Sequence, residues 1–213
     1  SVTRRDASGA AIHDILRAHA YAASIGREYG GAVGDNVKLQ RSGLVKALGL
    51  HKVLRQHKRM PPGGQKIEQT HEYRSPELSD ALYTTEWVEA MACEPRRIAI
   101  RRFPKTRHRI VVHIRRGDVT RTRYPRRYLP NSYYLKQISK YRKPNSEVIV
   151  FSQSPTDEPM REFEDAGCSL RMDGPLEDVW LTAINSDVFI MSRSSFSHVP
   201  ALFAIGDVVY HPY

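Results

Sequence analysis

The sequence predicts an α/β fold built on a parallel sheet with helices on both faces, and three observations point to it. After Pro104, short apolar runs alternate with helix-period segments, the order expected of β-α-β units. The runs themselves, such as Arg109 to Ile114 (RIVVHI), are nearly continuous and not alternating, as in strands buried on both sides. With 40% apolar and 26% charged residues, the 213-residue chain has the composition of a globular protein, long enough for one large domain or two compact ones.

In the C-terminal half the strand Arg109 to Ile114 comes first. Asn131 is expected to cap a helix carrying Tyr134, Leu135, Ile138 and Tyr141, and Glu147 to Ser152 follows as a strand. A helix near Glu158 to Ala166 stops at Gly167. A helix over Leu176 to Asn185, a strand over Asp187 to Ser192, a helix around Val199 to Ala204 and a strand over Val208 to Tyr210 complete the half. It is a nucleotide-binding pattern without a glycine fingerprint.

The N-terminal half is less regular. Ser1 to Thr3 reads as a strand and Asp6 to Gly9 as a turn; Ile12, Ile15, Leu16, Ala22 and Ile25 then recur at helical spacing up to a stop at Gly26. Tyr29 to Val33 is the next expected strand. Between Lys38 and His57 the apolar positions Leu44 to Leu54 suggest buried helical pieces broken at Gly43 and Gly49, and Pro61-Pro62-Gly63-Gly64 breaks the chain again. A helix is expected over Glu77 to Cys93, entered through Ser75-Pro76, with no strand between about 35 and 97. The expected domains are residues 1–105, an acceptor-side α/β unit, and 106–213, a nucleotide-sugar-binding unit.

No run of about 18 apolar residues occurs and the N-terminus has no signal-peptide core, so no membrane segment is expected in these residues. The chain starts at Ser1, so a cytoplasmic location and a lumenal Golgi or ER one behind a removed anchor both stay open. Cys93 and Cys168 stand far apart, outside any metal-ligand spacing, so neither a disulfide scaffold nor a zinc site is expected. The excess of 33 Lys and Arg over 23 Asp and Glu calls for an anionic partner. Its centre lies between Arg96 and Arg127, where Asp118 is the only acid.

In an open parallel sheet, ligands bind outside the carboxyl ends of the strands. Three segments fall there. Strand alternation sends His113 and Arg115 to one side and Ile114 and Arg116 to the other, so one arginine, Arg115, can face a cleft and fork onto a diphosphate. Ser192 to Ser197 is a hydroxyl-rich strand-to-helix turn suited to phosphate. Asp178 begins a helix of roughly 15 Å that leads into a strand of roughly 16 Å, which returns Ser194 to the same edge as Asp178. Taken singly, each residue has an ordinary alternative: an ion pair for Arg115 and Arg116, a helix-dipole contact for Asp178, caps for Ser194 and Ser195, and a satisfied helix histidine for His13.

Together, His113-x-Arg115-Arg116-x-Asp118 after a strand, Tyr133-Tyr134 on a helix, Phe151-Ser152 at a strand end and Ser194-Ser195-Phe196-Ser197 resemble the α1,2-/α1,6-fucosyltransferase superfamily. The resemblance runs from about 109 to 213, with a fainter echo at Ser8-Gly9-Ala10-Ala11-Ile12-His13. It implies a GT-B-like enzyme of two Rossmann-like domains, the N-terminal one reduced, that inverts configuration and uses no cofactor beyond its GDP-fucose substrate. By that resemblance Arg115 binds the β-phosphate, supported by His113 and Arg116, and Asp178 reads the guanine edge. Ser152, Ser194, Ser195 and Phe196 line the donor site, and Gly9 and His13 belong to the N-terminal cleft. The absence of any Asp-x-Asp triplet agrees with a side-chain cation doing the work of a metal.

Two departures stand out. Gln153-Ser154 occupies a place that is acidic in many relatives, and Arg121, Arg123 and Tyr124 stand where some relatives carry a candidate base. Asp118 is then the first choice of base, with Asp6, His13, Glu77 and Asp80 as alternatives. Two other readings compete: a transferase for another nucleotide sugar, and a nucleic-acid-binding module using the basic stretch with Phe103, Tyr124 and Tyr128. The expected partners are a nucleotide sugar and a glycan acceptor, not a nucleic acid.

Overall fold

In the computed structural model, residues 8–33, 43–57, 63, 82–154 and 156–212 are described. The expected strand at Ser1, the turn residues Asp6 and Ala7, and the candidate bases Asp6, Glu77 and Asp80 lie outside them, as do the start of the expected Glu77 helix and the prolines at 61 and 62. The chain forms two compact units, one ending at Pro95 and one beginning at Arg96.

In the first unit α1 (Ser8–Ser24) buries Ile12, Ile15, Leu16, Ala20 and Ala22 along one face. It ends as expected before Gly26, leaving Ile25 exposed beyond its last turn. Gly9, expected in a turn, is already helical. A short helix α2 (Leu44–Ala47) and a 3-10 turn (Leu50–Lys52) are separated at Gly49, and Leu44, Leu48, Leu50 and Leu54 are buried. Val53, expected in that core, faces solvent where the 3-10 turn ends. Strands β1 (Ala32–Val33) and β2 (Gln56–His57) pair in parallel, Ala32 opposite Gln56. The sequence reading placed no strand between 35 and 97, and β2 corrects it: a strand of two residues, Gln56 and His57, carries no apolar pattern to read.

Helix α3 (Thr85–Arg102) also corrects the sequence, because it runs through Pro95 where a stop at Cys93 was expected. Buried Trp87, Met91, Ala92, Pro95 and Ala99 keep one helical face covered across the proline. That packing outweighs the hydrogen bond that proline cannot donate.

The second unit is α/β, with an all-parallel five-stranded sheet in the order β5-β4-β3-β6-β7. Its strands are β3 (Arg109–His113), β4 (Glu147–Ser152), β5 (Ser169–Met172), β6 (Val188–Ile190) and β7 (Asp207–Val209). Helices α4 (Asn131–Tyr141) and α5 (Arg161–Asp165) link the first three strands, and α6 (Leu176–Ile184) and α7 (Ser195–Phe203) the last three. Ile110, Val112 and Ile114 pack on Tyr134 and Ile138 of α4 and Phe163 of α5. By the period of two, His113 projects to the opposite face, where it meets Phe196 and Ser197 of α7. Both faces are thus covered, in a Rossmann-like arrangement. From β3 the chain winds outward through β4 to β5, then crosses to β6 on the other side of β3. The direction switches between β3 and β6.

Strand β5 was not read from the sequence. It is an edge strand with Ser169 and Arg171 exposed, so only Leu170 and Met172 carry an apolar signal. Helix α7 begins at Ser195, ahead of the expected Val199, because Ser194 caps it.

The amino ends of the strands are closed by ion pairs. Arg109 Nε lies 2.7 Å from Glu147 and donates through its other nitrogens to the carbonyls of Phe103 and Pro104, while Lys105 lies 2.7 Å from Asp187. Two cations of the basic stretch from Arg96 are therefore paired within the fold.

At Gly206 a Cβ would run into the Asp187 carbonyl oxygen, beside the register that joins β6 to β7, whereas one at Gly174 would meet nothing within 4 Å. Gly206→Ala should therefore lose about 1–3 kcal/mol or more by overpacking, and Gly174→Ala should be neutral or slightly stabilising. Urea unfolding midpoints of the two variants check this; equal midpoints would contradict the packing described.

Candidate active site at the sheet switch point

Where neighbouring strands leave in opposite directions, no crossover covers the carboxyl ends, and a crevice opens there. Here the ends belong to β3 and β6. Ile114 still takes part in the sheet, its amide donating to Phe151, and its side chain is buried with α4. Arg115 and Arg116 then diverge as strand alternation requires.

Arg116 goes into the protein and is 1% exposed. Its Nη2 donates to the Leu129 carbonyl at 3.0 Å, to Asn131 Oδ1 at 2.9 Å and to Glu158 at 3.4 Å, and its guanidinium lies 4.4 Å from the Tyr128 ring centroid. A buried charge needs such partners, since desolvation otherwise costs several kcal/mol; the Arg116 Nε makes no hydrogen bond and lies 3.9 Å from Asp157. Asn131 does not cap α4 with its side chain, as the sequence had suggested. The N-cap is Pro130, and Glu158 takes over, accepting from the Asn131 amide at 2.6 Å where the helix dipole favours an anion. Asn131 Oδ1 is left to hold Arg116.

Arg115 stays nearer the surface. Its side chain is 12% exposed, with Nη2 2.5 Å from Asp118 and Nη1 donating to Gln153 Oε1 at 2.6 Å. The return of Asp118 to Arg115 depends on Gly117, whose φ of +75° few side chains tolerate and whose added Cβ would lie 3.3 Å from the Ser154 carbonyl. A carboxylate and an amide oxygen thus fix the plane of the guanidinium.

Across the switch, His113 is 5% exposed and its Nδ1 lies 2.6 Å from Ser197 Oγ and 3.0 Å from Ser192 Oγ, with the two hydroxyls 3.0 Å apart. Burial pushes the imidazole down to about 3, so it is neutral at physiological pH. This closed triangle ties the end of β3 to the start of α7. Phe196 wedges between His113 and Trp180, at centroid distances of 4.9 and 5.1 Å. Ser194 caps α7, accepting from the Phe196 amide at 3.3 Å, and Ser195 is exposed on the first turn.

Of the other sequence-derived residues, Asp178 lies on the first turn of α6 and accepts from Arg102 at 3.1 Å in a pair with 48% and 32% exposed side chains. Ser152 is buried and donates to the Ile114 carbonyl, joining β4 to the exit of β3. Gly9 and His13 both lie on α1 in the first unit, where the His13 ring is 6.3 Å from that of Tyr83. The structure therefore gathers His113, Arg115, Arg116, Asp118 and Ser152 with Ser192 to Ser197 in the second unit.

No family model matches the chain, and no curated protein matches it.

Gln153, Glu158, Tyr128 and Trp180 were not anticipated as parts of this constellation. Gln153, a departure from the family pattern, is the neutral acceptor on Arg115. For Glu158 no local signal existed, because its partners Arg116 and Asn131 are distant in the chain. Ser197 lies on the first turn of α7, where its amide donates to the Ser194 carbonyl and its hydroxyl meets His113.

Two predictions separate these roles. Arg116→Gln should lose about 3–5 kcal/mol of stability, the range for breaking a buried charge network, while Arg115→Gln, nearer the surface, should lose far less. Denaturant titration of both variants decides it, and equal losses would refute the division. The second concerns pH. The His113 value in the fold lies below the ordinary 6.5, so its contribution is complete above about 6.5 and drains as pH falls toward 3. Between pH 6 and 4, wild type should lose up to about 1.4 kcal/mol per pH unit more than His113→Asn; parallel pH profiles would exclude His113 as the source.

Proposed function

We propose that the protein is a glycosyltransferase that moves a sugar from a nucleotide diphosphate donor to a glycan hydroxyl, with GDP-fucose as donor. The observation that carries this reading is the Arg115 guanidinium, held by Asp118 and Gln153 at the switch point, one strand away from the capped serine turn of α7. The second unit is then the donor-binding domain of a GT-B-like enzyme, and the first unit, with Gly9 and His13, serves the acceptor side.

In this reaction the acceptor oxygen attacks the anomeric carbon from the face opposite the diphosphate. The bond from that carbon to the diphosphate oxygen breaks, its electron pair leaves on GDP, and the anomeric configuration inverts. Arg115 offsets the charge that develops on the departing phosphate, a preorganised cation acting where charge appears. To do so it exchanges Asp118 for phosphate oxygens. With Asp118 45% exposed, water can take up the carboxylate that phosphate oxygens displace from Arg115, and hydrogen bonds to a charged phosphate contribute about 1.5–3 kcal/mol. The released carboxylate is the base that accepts the acceptor proton. Asp178 makes a similar exchange, leaving its solvent-exposed partner Arg102 for the N1 and N2 donors of guanine.

The ion pairs at Arg109 and Lys105 weigh against the nucleic-acid module, because they withdraw part of the basic stretch to the far edge of the sheet.

Calorimetric titration with GDP, ADP, UDP and dTDP in EDTA tests the donor. GDP should bind tightest, and preference for another nucleotide would overturn the assignment. Arg115→Ala should lose GDP binding by at least about tenfold, the 1.4 kcal/mol equivalent of one phosphate contact, together with turnover. Asp118→Asn should hold or improve GDP affinity while kcat falls by about 10²–10⁴, the usual loss of a general base. Weakened GDP binding with near-normal kcat would instead make Asp118 only a positioning residue for Arg115.

A further inference from the structure

The loop between β3 and α4 carries more positive charge than a diphosphate requires. Residues 119–130 contain Arg121, Arg123, Arg126 and Arg127 and no acid. Arg121 is partly spent on Glu158, at 2.9 Å, and its amide donates to Asp157. The other three side chains are exposed.

This segment has a built shape. Val119, Tyr128 and Leu129 are buried, Arg116 holds the Leu129 carbonyl from below, and Arg193 donates to the Arg126 carbonyl at 2.8 Å from the β6–α7 turn. Backbone bonds from the amides of Tyr124 to Thr120 and of Arg127 and Tyr128 to Tyr124 fold it into consecutive turns. The guanidinium groups of Arg123 and Arg127 both lie by the Tyr124 ring, at 5.4 and 5.6 Å. Like charges are thereby kept close on a pinned backbone, an arrangement that a fixed anion relieves.

We propose that Arg123, Arg126 and Arg127 form a docking surface for an anionic glycan, so that the acceptor carries carboxylate or sulfate groups. The choice of a glycan, and of an acceptor, rests on the transferase reading; the cationic surface itself does not. A neutral glycan draws little from three cations. A single-stranded nucleic acid needs open aromatic faces on which bases stack, and here guanidinium groups lie against the Tyr124 ring while Lys105 and Arg109 of the basic stretch are paired within the fold.

The test is titration of the whole chain with a heparin-type sulfated tetrasaccharide, its desulfated uronate-bearing counterpart, a neutral chitin tetrasaccharide and a short oligothymidylate, with GDP in parallel. The sulfated sugar should bind with an affinity that falls steeply with salt, and the neutral one should bind at least tenfold more weakly. Binding of the desulfated sugar assigns carboxylates, and its loss assigns sulfates. The triple variant Arg123→Gln, Arg126→Gln, Arg127→Gln should weaken sulfated-sugar binding at least tenfold and leave GDP binding within twofold. Equal binding of neutral and sulfated sugars, or an unaffected triple variant, overturns the surface. Tighter binding of the oligothymidylate, lost in the same variant, overturns it in favour of nucleic acid. If the sulfated sugar binds and GDP does not, the surface stands and the transferase reading falls.

Discussion

Strand β3 is buried on both faces and pairs in parallel on both edges, and the rest of the second unit depends on that constraint. Neighbours that leave it in opposite directions give the sheet its switch point and leave its carboxyl end without a crossover. Alternation along the strand then distributes chemistry. Ile114 and Arg116 go toward α4, and His113 goes toward α7. The sequence His-x-Arg-Arg-x-Asp is in this sense a distribution of side chains between two layers and an edge.

Two buried polar clusters turn this distribution into a fixed site. Arg116 joins the exit of β3 to the start of α4 and to Glu158 before α5. His113 joins it to Ser192 and Ser197 at the end of β6 and the start of α7. Each is costly to bury without partners, so each favours one arrangement of the loops it touches. Between them stands Arg115, with a partly exposed and exchangeable partner in Asp118. Depth thus sorts the residues: Arg116 and His113 hold the loops from inside, and Arg115 pairs nearer the surface.

Positive charge follows the same logic. At the amino edge Lys105 and Arg109 meet Asp187 and Glu147, and the charge serves folding. At the carboxyl edge the loop after Asp118 holds three exposed arginines on a backbone fixed from below. A stretch that looks uniformly basic in sequence thus contains cations paired within the fold, such as Lys105 and Arg109, and others whose side chains are exposed.

The sequence by itself determined the strands and helices whose faces are strongly apolar. Strands β3 and β4, helices α4 and α6, and the turn at Ser194 were legible because burial imposes a period that the residues must obey. Edge strand β5, the polar ladder of β2 and the passage of α3 through Pro95 were not, since each depends on backbone pairing or on packing by distant residues. In the site, alternation alone separated Arg115 from Arg116. Only the tertiary structure decided that Glu158 caps α4, that Gln153 and Asp118 hold Arg115, and that His113 is locked to two serines. Those partners are far apart along the chain or paired by a turn, and their contacts arise from folding rather than from any local spacing.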